Sequence, residues 1–326
     1  MTQPYQDHFR GQRVLVTGGA GFIGSHLSEA LAGLGADVVV LDDLSGGDRA
    51  NLDGFETTFV EGSVADAATV RDAADGCRCV FHLAALGSVP RSVEQPALYH
   101  EANTLGTFNV LQAAREAGCE RVVFSASSSA YGDNPVPWVE TMPVLPKSPY
   151  AATKVAGEAM LRAWSESYGK DAGLDTCSLR YFNIFGPRQN ANSAYAAVIA
   201  AFAKALLAGE RPTIYGDGEQ SRDFTYVANA VHANLLAAAS PRPLGGETVN
   251  VACGHSVSVN ELAAEMAKAL GRPDLSPVHE PERTGDIKHS FAALDKGRDL
   301  LGYAVQVDYK TGLARTLDWY RTALSS

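Results

Sequence analysis

Short apolar runs alternate with segments of helical period through the first half of the chain. The apolar runs have the length and the aliphatic or β-branched content of buried strands. They are Val14–Val16, Asp37–Leu41, Thr57–Glu61, Cys79–Leu83 and Arg121–Ser125. Between them the pattern predicts helices after Gly24, over Asp66–Ala74 and over Asn103–Ala117. This alternation predicts βαβ units, and therefore an α/β fold with a doubly wound parallel sheet.

The pattern changes past Leu179 and predicts a second, smaller α/β unit. A helix is expected over Ala194–Gly209 and a strand over Pro212–Tyr215. The stretches Phe224–Ala239 and Thr248–Ala252 are predicted to return to the first unit as a helix and a strand. The first domain is therefore expected to comprise residues 1–180 with about 223–252, and the second residues 181–222 with 253–326.

A glycine-rich turn joins the first predicted strand to the helix that follows. In RVLVTGGAGFIG, Gly18, Gly21 and Gly24 have the spacing GxxGxxG. Gly18 is expected to allow the tight turn, Gly21 to let a pyrophosphate approach the backbone, and Gly24 to let the helix pack on the strand. The free N–H groups of a helix N-terminus also favour phosphate. The context predicts a dinucleotide-binding loop in a Rossmann-type sheet, at the carboxyl ends of the strands.

Asp42 ends the second predicted strand, about 20 residues beyond the glycine turn. A carboxylate at that place accepts hydrogen bonds from the hydroxyls of the adenosine ribose. No arginine follows directly, and a 2′-phosphate would meet the negative charge of Asp42 and Asp43. We therefore expect NAD rather than NADP. The alternative is a glycine turn in an ordinary α/β protein, with Asp42 as a solvated strand end.

The overall composition narrows the classes of function. The chain has 326 residues, 46% of them hydrophobic and 20% charged, with a formal net charge of −10. This composition is that of a globular protein, and its acidity argues against nucleic acid as a partner. The five cysteines have no metal-binding spacing, and no apolar leader or membrane-length stretch is found. We therefore expect no metal, no membrane association and a reducing, cytoplasmic location.

Hydroxyl and ammonium side chains follow the fifth predicted strand. That strand leads into SASSSAYG, and PYAATK then opens a long predicted helix. Tyr150 and Lys154 are four residues apart, so they share one face of this helix. Taken alone, such a pair is most often a surface pair. Here it follows a serine-rich strand end in a chain that begins with a dinucleotide loop, and this context favours catalysis.

Together, TGGAGFIG, Asp42, FHLAA, SASSSAYG and YAATK resemble the extended short-chain dehydrogenase/reductase superfamily. LRYFNIFGPRQ, RDFTYV and RTGD resemble its nucleotide-sugar branch, the UDP-hexose 4-epimerases, in the family's order and spacing. The resemblance implies NAD as the cofactor and catalytic roles for Ser127, Tyr150 and Lys154. The cofactor contacts that it implies are Gly18, Gly21, Phe22, Ile23, Gly24, Asp42, Ser63, Val64, Leu83, Ala84, Ala85, Asn103, Tyr150, Lys154 and Tyr181. Ser63 departs from the family, which often has an Asp there for the adenine amine.

The side chains implied as catalytic can move the proton of a sugar hydroxyl. A phenol has a pKa near 10, but one ammonium at roughly 4 Å contributes on the order of 4 kcal/mol, equivalent to about three pKa units. We therefore expect Lys154 to lower the pKa of Tyr150, the base, and to hold the nicotinamide ribose. Ser127 is expected to hydrogen-bond the same sugar oxygen. The resemblance implies that a hydride would pass to NAD and return to the other face of the rotated keto sugar.

Two serines favour epimerisation over elimination. In related 4,6-dehydratases an Asp and a Glu usually follow the catalytic Ser or Thr, and decarboxylating relatives usually carry a Glu there. This chain has Ser128 and Ser129, which cannot supply that acid or base. We therefore predict a 4-epimerase, with a UDP-sugar dehydratase or decarboxylase as the alternative enzyme. A dinucleotide-sensing regulatory protein is the non-enzyme alternative, but such proteins typically lose the Tyr or the Lys.

The resemblance also implies a UDP-sugar site. Arg222 and Arg283 are expected to neutralise the diphosphate through bidentate bonds, and Asp286 to bind the uridine ribose. Ser290 occupies the position at which epimerases of non-acetylated sugars carry a bulky Tyr. We therefore favour UDP-GlcNAc/UDP-GalNAc as the substrate pair. The substrate contacts implied are Gly87, Ser128, Ser129, Asn183, Gln189, Ala197, Tyr215, Arg222, Arg283, Asp286 and Ser290.

Other sugars and the assembly state remain open at this point. UDP-glucuronate is an alternative substrate because His289 or Arg188 could offer positive charge, and UDP-glucose/galactose is another. The family usually pairs two helices of each subunit into a four-helix bundle. The predicted helices around Asn103–Ala117 and Ala151–Tyr168 carry apolar positions on more than one face, so we expect a homodimer.

Overall fold

A parallel seven-stranded sheet lies at the centre of the computed structural model, which describes residues 3–191, 197–282 and 287–324. Its strands are β1 (Arg13–Thr17), β2 (Asp37–Asp42), β3 (Thr58–Glu61), β4 (Cys79–His82), β5 (Arg121–Ser127), β6 (Asp175–Tyr181) and β11 (Glu247–Val251). Their spatial order is β11-β6-β5-β4-β1-β2-β3, and each adjacent pair is parallel. The direction of winding reverses between β1 and β4, so a crevice opens at the carboxyl ends of these two strands.

Helices cover both faces of this sheet. They are α1 (Phe22–Gly33), α2 (Ala67–Ala74), α3 (Val89–Glu94), α4 (Pro96–Tyr99), α5 (Gly106–Glu116), α6 (Pro149–Ala172), α8 (Val227–Ala238) and α10 (Asp295–Leu301). Val14 and Val16 of β1 pack in the core with α1 and α8, whereas Leu15 packs on the opposite face with α2, α5 and α6. The predicted doubly wound α/β sheet is confirmed.

A second core lies beside the sheet and is built from the later part of the chain. Its helices are α7 (Val198–Leu207), α9 (Val259–Ala269) and α11 (Tyr309–Ala323). Its strands form three pairs, β7 (Ile184–Phe185) with β10 (Thr225–Tyr226), β9 (Ser221–Asp223) with β12 (Ser256–Ser258), and β8 (Thr213–Tyr215) with β13 (Val278–Glu280). Aromatic rings of Phe185, Phe224 and Tyr309 meet edge to face or stacked in this core.

Two elements differ from the expectation. The helix expected from Asn103 begins with a π-helical turn, His100–Leu105, before α5. Leu301 of α10 and the following Tyr303 pack in the core of the large sheet, although residues 253–326 were expected in the second domain. The Tyr303 hydroxyl donates to the Ala252 carbonyl just past β11, which ties this segment to the sheet.

Two kinds of feature are absent from the described residues. No helix there is both long and apolar enough to cross a membrane. The same residues contain no group of three His, Cys, Asp or Glu side chains arranged to hold a metal ion.

Candidate active site

The turn between β1 and α1 has a backbone that only glycine allows at two positions. Gly18 has a positive φ of 69°, and a Cβ there would lie 2.7 Å from the backbone nitrogen of Ala84. A Cβ on Gly24 would lie 2.1 Å from the Gly18 carbonyl oxygen, so this glycine lets α1 begin directly against the end of β1. Gly21 is the N-cap of α1 and has no side chain to cover the first N–H groups of the helix.

Asp42 lies at the carboxyl end of β2 beside this turn. Its carboxylate accepts the backbone N–H groups of Ala20 at 3.0 Å and Leu44 at 2.9 Å. Burial raises the pKa of Asp42, and the two N–H donors oppose that rise. A carboxylate has about four acceptor positions, so two protein donors leave capacity for a ribose diol.

A cleft of about 540 Å³ runs along the carboxyl ends of these strands. The predicted cofactor residues that line it are Gly18, Gly21, Phe22, Ile23, Gly24, Asp42, Ser63, Val64, Leu83, Ala84 and Ala85. Gly87, predicted as a substrate contact, also lines it. The cradle of small residues, the exposed helix N-terminus and the carboxylate of β2 fit a dinucleotide.

A second group of residues, which were not among the predicted cofactor contacts, also lines the cleft. They are Leu41, Asp43, Ser45, Gly46, Gly47, Gly62, Leu86, Ser88, Arg91, Tyr99, Ala102, Ser125 and Asn190. A Cβ on Gly47 would lie 2.9 Å from Asp42 Oδ1, so the polar SGG segment after β2 carried a usable signal. Tyr99 and Ala102 come from the helical segment that follows β4. The sequence of that segment contains no signal that places them at the cleft.

Two predicted cofactor residues lie behind the cleft lining. Asn103 accepts the Leu86 N–H and donates to the Leu86 carbonyl and the Thr153 hydroxyl, so both of its amide hydrogens are engaged by the protein. The Tyr181 hydroxyl accepts from Asn234 at 2.6 Å. In this structure Asn103 therefore positions the Leu86 segment of the cleft against α6.

The predicted catalytic side chains meet at the carboxyl end of β5. The Ser127 hydroxyl lies close enough to that of Tyr150 to oppose the rise in the Tyr150 pKa. Lys154, only 3% exposed, donates from Nζ to the Ser125 carbonyl at 2.7 Å and lies 4.8 Å from the centre of the Phe124 ring. Burial lowers the pKa of Lys154 to about 7. Ser148 is the N-cap of α6, and its hydroxyl accepts the Ala151 N–H, which sets where Tyr150 and Lys154 lie.

The expected lowering of the Tyr150 pKa is not found. Burial raises the pKa of Tyr150, and the nearby Ser127 hydroxyl opposes the rise. Burial of the Tyr150 phenol itself decides the direction. The Lys154 ammonium is directed to the Ser125 carbonyl instead.

Ser127 receives two hydrogen bonds from Ser129. The Ser129 N–H lies 3.2 Å and the Ser129 Oγ 2.9 Å from Ser127 Oγ. Ser128 and Ser129 begin a single 3-10 turn, Ser128–Tyr131, with Ser127 as its N-cap. The structure thus gives the Ser129 hydroxyl a partner inside the protein, whereas the sequence suggested the substrate.

The structure brings two predicted substrate residues together across the chain. Asn183 Nδ2 lies 3.1 Å from Ser290 Oγ, and Ser290 is buried. Asn183 has a positive φ of 39°, a conformation that Asn tolerates better than most residues. Gln189 lies nearby in sequence, and its Nε2 donates to the Ile184 carbonyl.

The remaining predicted substrate residues are more dispersed. Tyr215 lines a cavity of about 140 Å³ with Lys288 and Glu282, and Arg222 donates to the Ser221 and Lys288 carbonyls. Ala197 is the exposed N-cap of α7. Arg283 and Asp286 lie outside the described residues.

Comparison with known proteins identifies the family to which the chain belongs. A sequence profile of the NAD dependent epimerase/dehydratase family matches residues 14–252. UDP-glucose 4-epimerase of Mycolicibacterium smegmatis is 41% identical over 95% of this chain and 98% of its own length. The chain belongs to the NAD dependent epimerase/dehydratase family.

Two similar solved structures are both nucleotide-sugar 4-epimerases. UDP-N-acetylglucosamine 4-epimerase from Methanobrevibacter ruminantium M1, in complex with UDP-N-acetylmuramic acid, is 40% identical with a TM-score of 0.89, over 96% of this chain and 99% of its own. UDP-glucose 4-epimerase from Thermotoga maritima, with UDP-glucose, is 36% identical with a TM-score of 0.90, over 96% and 100%. This protein is an NAD-dependent nucleotide-sugar 4-epimerase of the extended short-chain dehydrogenase/reductase type.

Proposed function

We propose that the enzyme interconverts UDP-N-acetylglucosamine and UDP-N-acetylgalactosamine. The observation that carries the proposal is the small side chain of Ser290, buried 3.1 Å from Asn183 Nδ2. By the family resemblance this position limits the size of the sugar substituent, and a serine leaves room for an N-acetyl group. The Methanobrevibacter relative, a UDP-N-acetylglucosamine 4-epimerase, supports the same choice.

In the proposed reaction, this chain's residues move one proton and hold the sugar. Tyr150 takes the proton of the C4 hydroxyl and gives it back after the keto sugar has turned. Ser127, whose hydroxyl lies near that of Tyr150, holds the same oxygen. Lys154 stabilises the phenolate and binds the nicotinamide ribose. Bound NAD supplies the hydride acceptor and donor. The cleft that begins at Gly18 and Asp42 holds the dinucleotide.

The nucleotide half of the substrate is assigned to the second core. Arg222 lies on β9 and donates to the Lys288 carbonyl, and Lys288 and Tyr215 line the same cavity. We assign Arg222 and Arg283 to the diphosphate and Asp286 to the uridine ribose, since guanidinium groups bind phosphates in bidentate fashion.

The charges of the site favour a neutral sugar over a uronate. Arg188 donates to Glu29 of α1 at 2.7 Å and lies within 3.4 Å of the Ser25 hydroxyl, so its charge is already paired. His289 Nδ1 lies 2.9 Å from the Ser221 hydroxyl. The Arg188 guanidinium, one of the two groups that could have recognised a 6-carboxylate, is therefore already paired within the protein.

Proton NMR of the products tests the assignment. The purified protein is incubated separately with UDP-GlcNAc, UDP-glucose and UDP-glucuronate. We expect the C4 epimer of UDP-GlcNAc to form fastest, with no accumulation of NADH absorbance. Conversion of UDP-glucuronate alone would replace the proposed substrate, and an elimination or decarboxylation product would reject the Ser128 and Ser129 argument.

We also propose a homodimer in a reducing cytoplasm. Large apolar side chains are exposed on and before α5, namely Val89, Val93, Leu98, Leu105 and Phe108. Phe108 meets Trp164 of α6 edge to face, so α5 and α6 present a joint apolar surface. All five cysteines are free, as a reducing compartment requires. Light scattering should give twice the chain mass of 34.4 kDa.

A further inference from the structure

A buried ion pair lies one helical turn beyond the proposed catalytic lysine. Tyr150, Lys154 and Glu158 are spaced four residues apart on α6 and therefore share a face. Arg180 of β6 donates to both Glu158 oxygens, from Nε at 2.8 Å and from Nη2 at 2.6 Å. The Glu158 and Arg180 side chains are only 8% and 4% exposed.

The fold alone gives little reason for charges at this place. Desolvation of a buried ion pair often outweighs its Coulomb attraction, and apolar residues of similar volume are frequently as stable. Arg180 Nη1 is buried and has no hydrogen-bond partner among the described residues, which adds to the cost. The guanidinium lies 4.5 Å from the centre of the Tyr131 ring, which together with the fork to Glu158 holds it in one orientation.

The Glu158–Arg180 pair differs from the other groups around Lys154 because it is charged. From β5, the Ser125 carbonyl and the Phe124 ring contact its ammonium. From β4, the charge of Lys154 and above all burial lower the pKa of His82 to about 3, so that this imidazole is neutral.

The other nearby groups on the packed elements carry no opposing charge. Tyr150 and Ser127 are hydroxyls at the site, and Tyr181 of β6 is engaged by Asn234. Asn103 of the π turn is neutral. Among the described residues, Glu158 is the carboxylate whose negative charge raises the pKa of Lys154 against the effect of burial.

We propose that the Glu158–Arg180 pair positions charge for the reaction: Glu158 keeps the buried Lys154 ammonium protonated, and Arg180 holds that carboxylate in place and limits its effect. Both are positioning residues, since they act through Lys154 and are not proposed to touch the substrate. The inference rests on the proposed catalytic roles of Tyr150 and Lys154.

The proposal predicts shifts of opposite sign in the pH profile. The protonated lysine is the active form, so its loss defines the alkaline limb of kcat. Glu158→Gln removes the favourable charge, and we expect the limb to move down by about one to two pH units. Arg180→Met leaves the carboxylate uncompensated, and the limb should move up. The double variant E158Q/R180M carries neither charge, and its limb should lie between those of the single variants.

The experiment measures kcat from pH 5.5 to 9.5 for these variants, with the sugar that the wild type epimerises. Glu158→Asp keeps the charge on a shorter side chain, so its limb should stay at the wild-type position even where kcat falls. Thermal unfolding at each pH separates loss of fold from loss of activity. If either single variant does not fold, the limbs of E158D and of the double variant are compared with the wild type.

Two outcomes overturn the inference. One is a limb that moves in the same direction in both single variants or in neither. The other is an alkaline limb in E158D that is displaced from the wild-type position as far as the limb of E158Q. Where E158Q does not fold, any displacement of the E158D limb overturns the inference. Tyr150→Phe and Lys154→Met distinguish this from failure of the proposed function. If these two retain kcat, the catalytic assignment itself is wrong.

Discussion

Ser129 offers a test of how Ser127, the proposed catalytic serine, is oriented. A hydroxyl has one donor and two acceptor positions. Both acceptor positions of Ser127 are approached by Ser129, from the N–H at 3.2 Å and from Oγ at 2.9 Å. The single Ser127 hydrogen is therefore free to point only toward Tyr150 or the substrate oxygen beside it. In Ser129→Ala the N–H bond remains, but the second acceptor position opens and the Ser127 hydroxyl can rotate.

The size of the effect follows from the bond that is removed. A neutral hydrogen bond contributes about 0.5 to 1.5 kcal/mol, which corresponds to about a 2- to 12-fold change in rate if the whole of it acts in the transition state. We therefore expect kcat of Ser129→Ala to fall about 3- to 10-fold with KM nearly unchanged. Ser127→Ala should cost more, because a bond to a charged oxygen is roughly twice as strong.

Steady-state kinetics at fixed pH, with thermal unfolding as a control for folding, measure this prediction. Ser129→Thr is the matched control, because it keeps the hydroxyl and should retain most of kcat. A rise in KM at constant kcat would mean that Ser129 contacts the substrate, as the sequence suggested. Equal loss in the Ala and Thr variants would mean that the hydroxyl orients nothing, and the reasoning would be refuted.

Four further changes, one of them a control, probe the cofactor cleft and the sugar pocket. Asp42→Asn should weaken NAD binding about 10- to 100-fold, measured by calorimetry, because a charged acceptor for the ribose diol is lost; unchanged affinity would remove Asp42 from the cofactor site. Gly24→Ala should abolish NAD binding and lower the unfolding temperature, since its Cβ would lie 2.1 Å from the Gly18 carbonyl oxygen. Gly33→Ala, on the same helix with no atom within 4 Å of its Cβ, should be neutral or stabilise by up to about 1 kcal/mol. Ser290→Tyr should lower kcat/KM for UDP-GlcNAc at least tenfold more than for UDP-glucose; an equal loss for both sugars would remove Ser290 from the specificity pocket.

Much of the large domain could be predicted because its signals are local. The runs around Val14–Val16 and Asp37–Leu41 form strands through their own apolar pattern, and Gly18 must be a glycine because of its own backbone. The spacing of Tyr150 and Lys154 places them on one face of any helix. These properties depend on residues that are adjacent in the chain, so they can be predicted from the sequence.

The composition of the cleft wall depended on packing. Tyr99 and Arg91 line the cleft because the segment after β4 folds back over it, and no pattern within that segment points there. Asn183 and Ser290 are 107 residues apart and meet only through the arrangement of the second core. Leu301 and Tyr303 likewise joined the large sheet rather than the expected domain.

The sequence by itself determined the parallel α/β sheet, the glycine turn with Asp42, and the set of hydroxyl and amine groups available for catalysis. Only the tertiary structure decided how those groups behave. Burial reversed the expected direction of the Tyr150 pKa, Ser129 found its partner in Ser127, and Glu158 met Arg180 behind Lys154. The physical reason is that propensity and spacing act along the chain, whereas desolvation and long-range hydrogen bonds depend on which elements exclude water from each other.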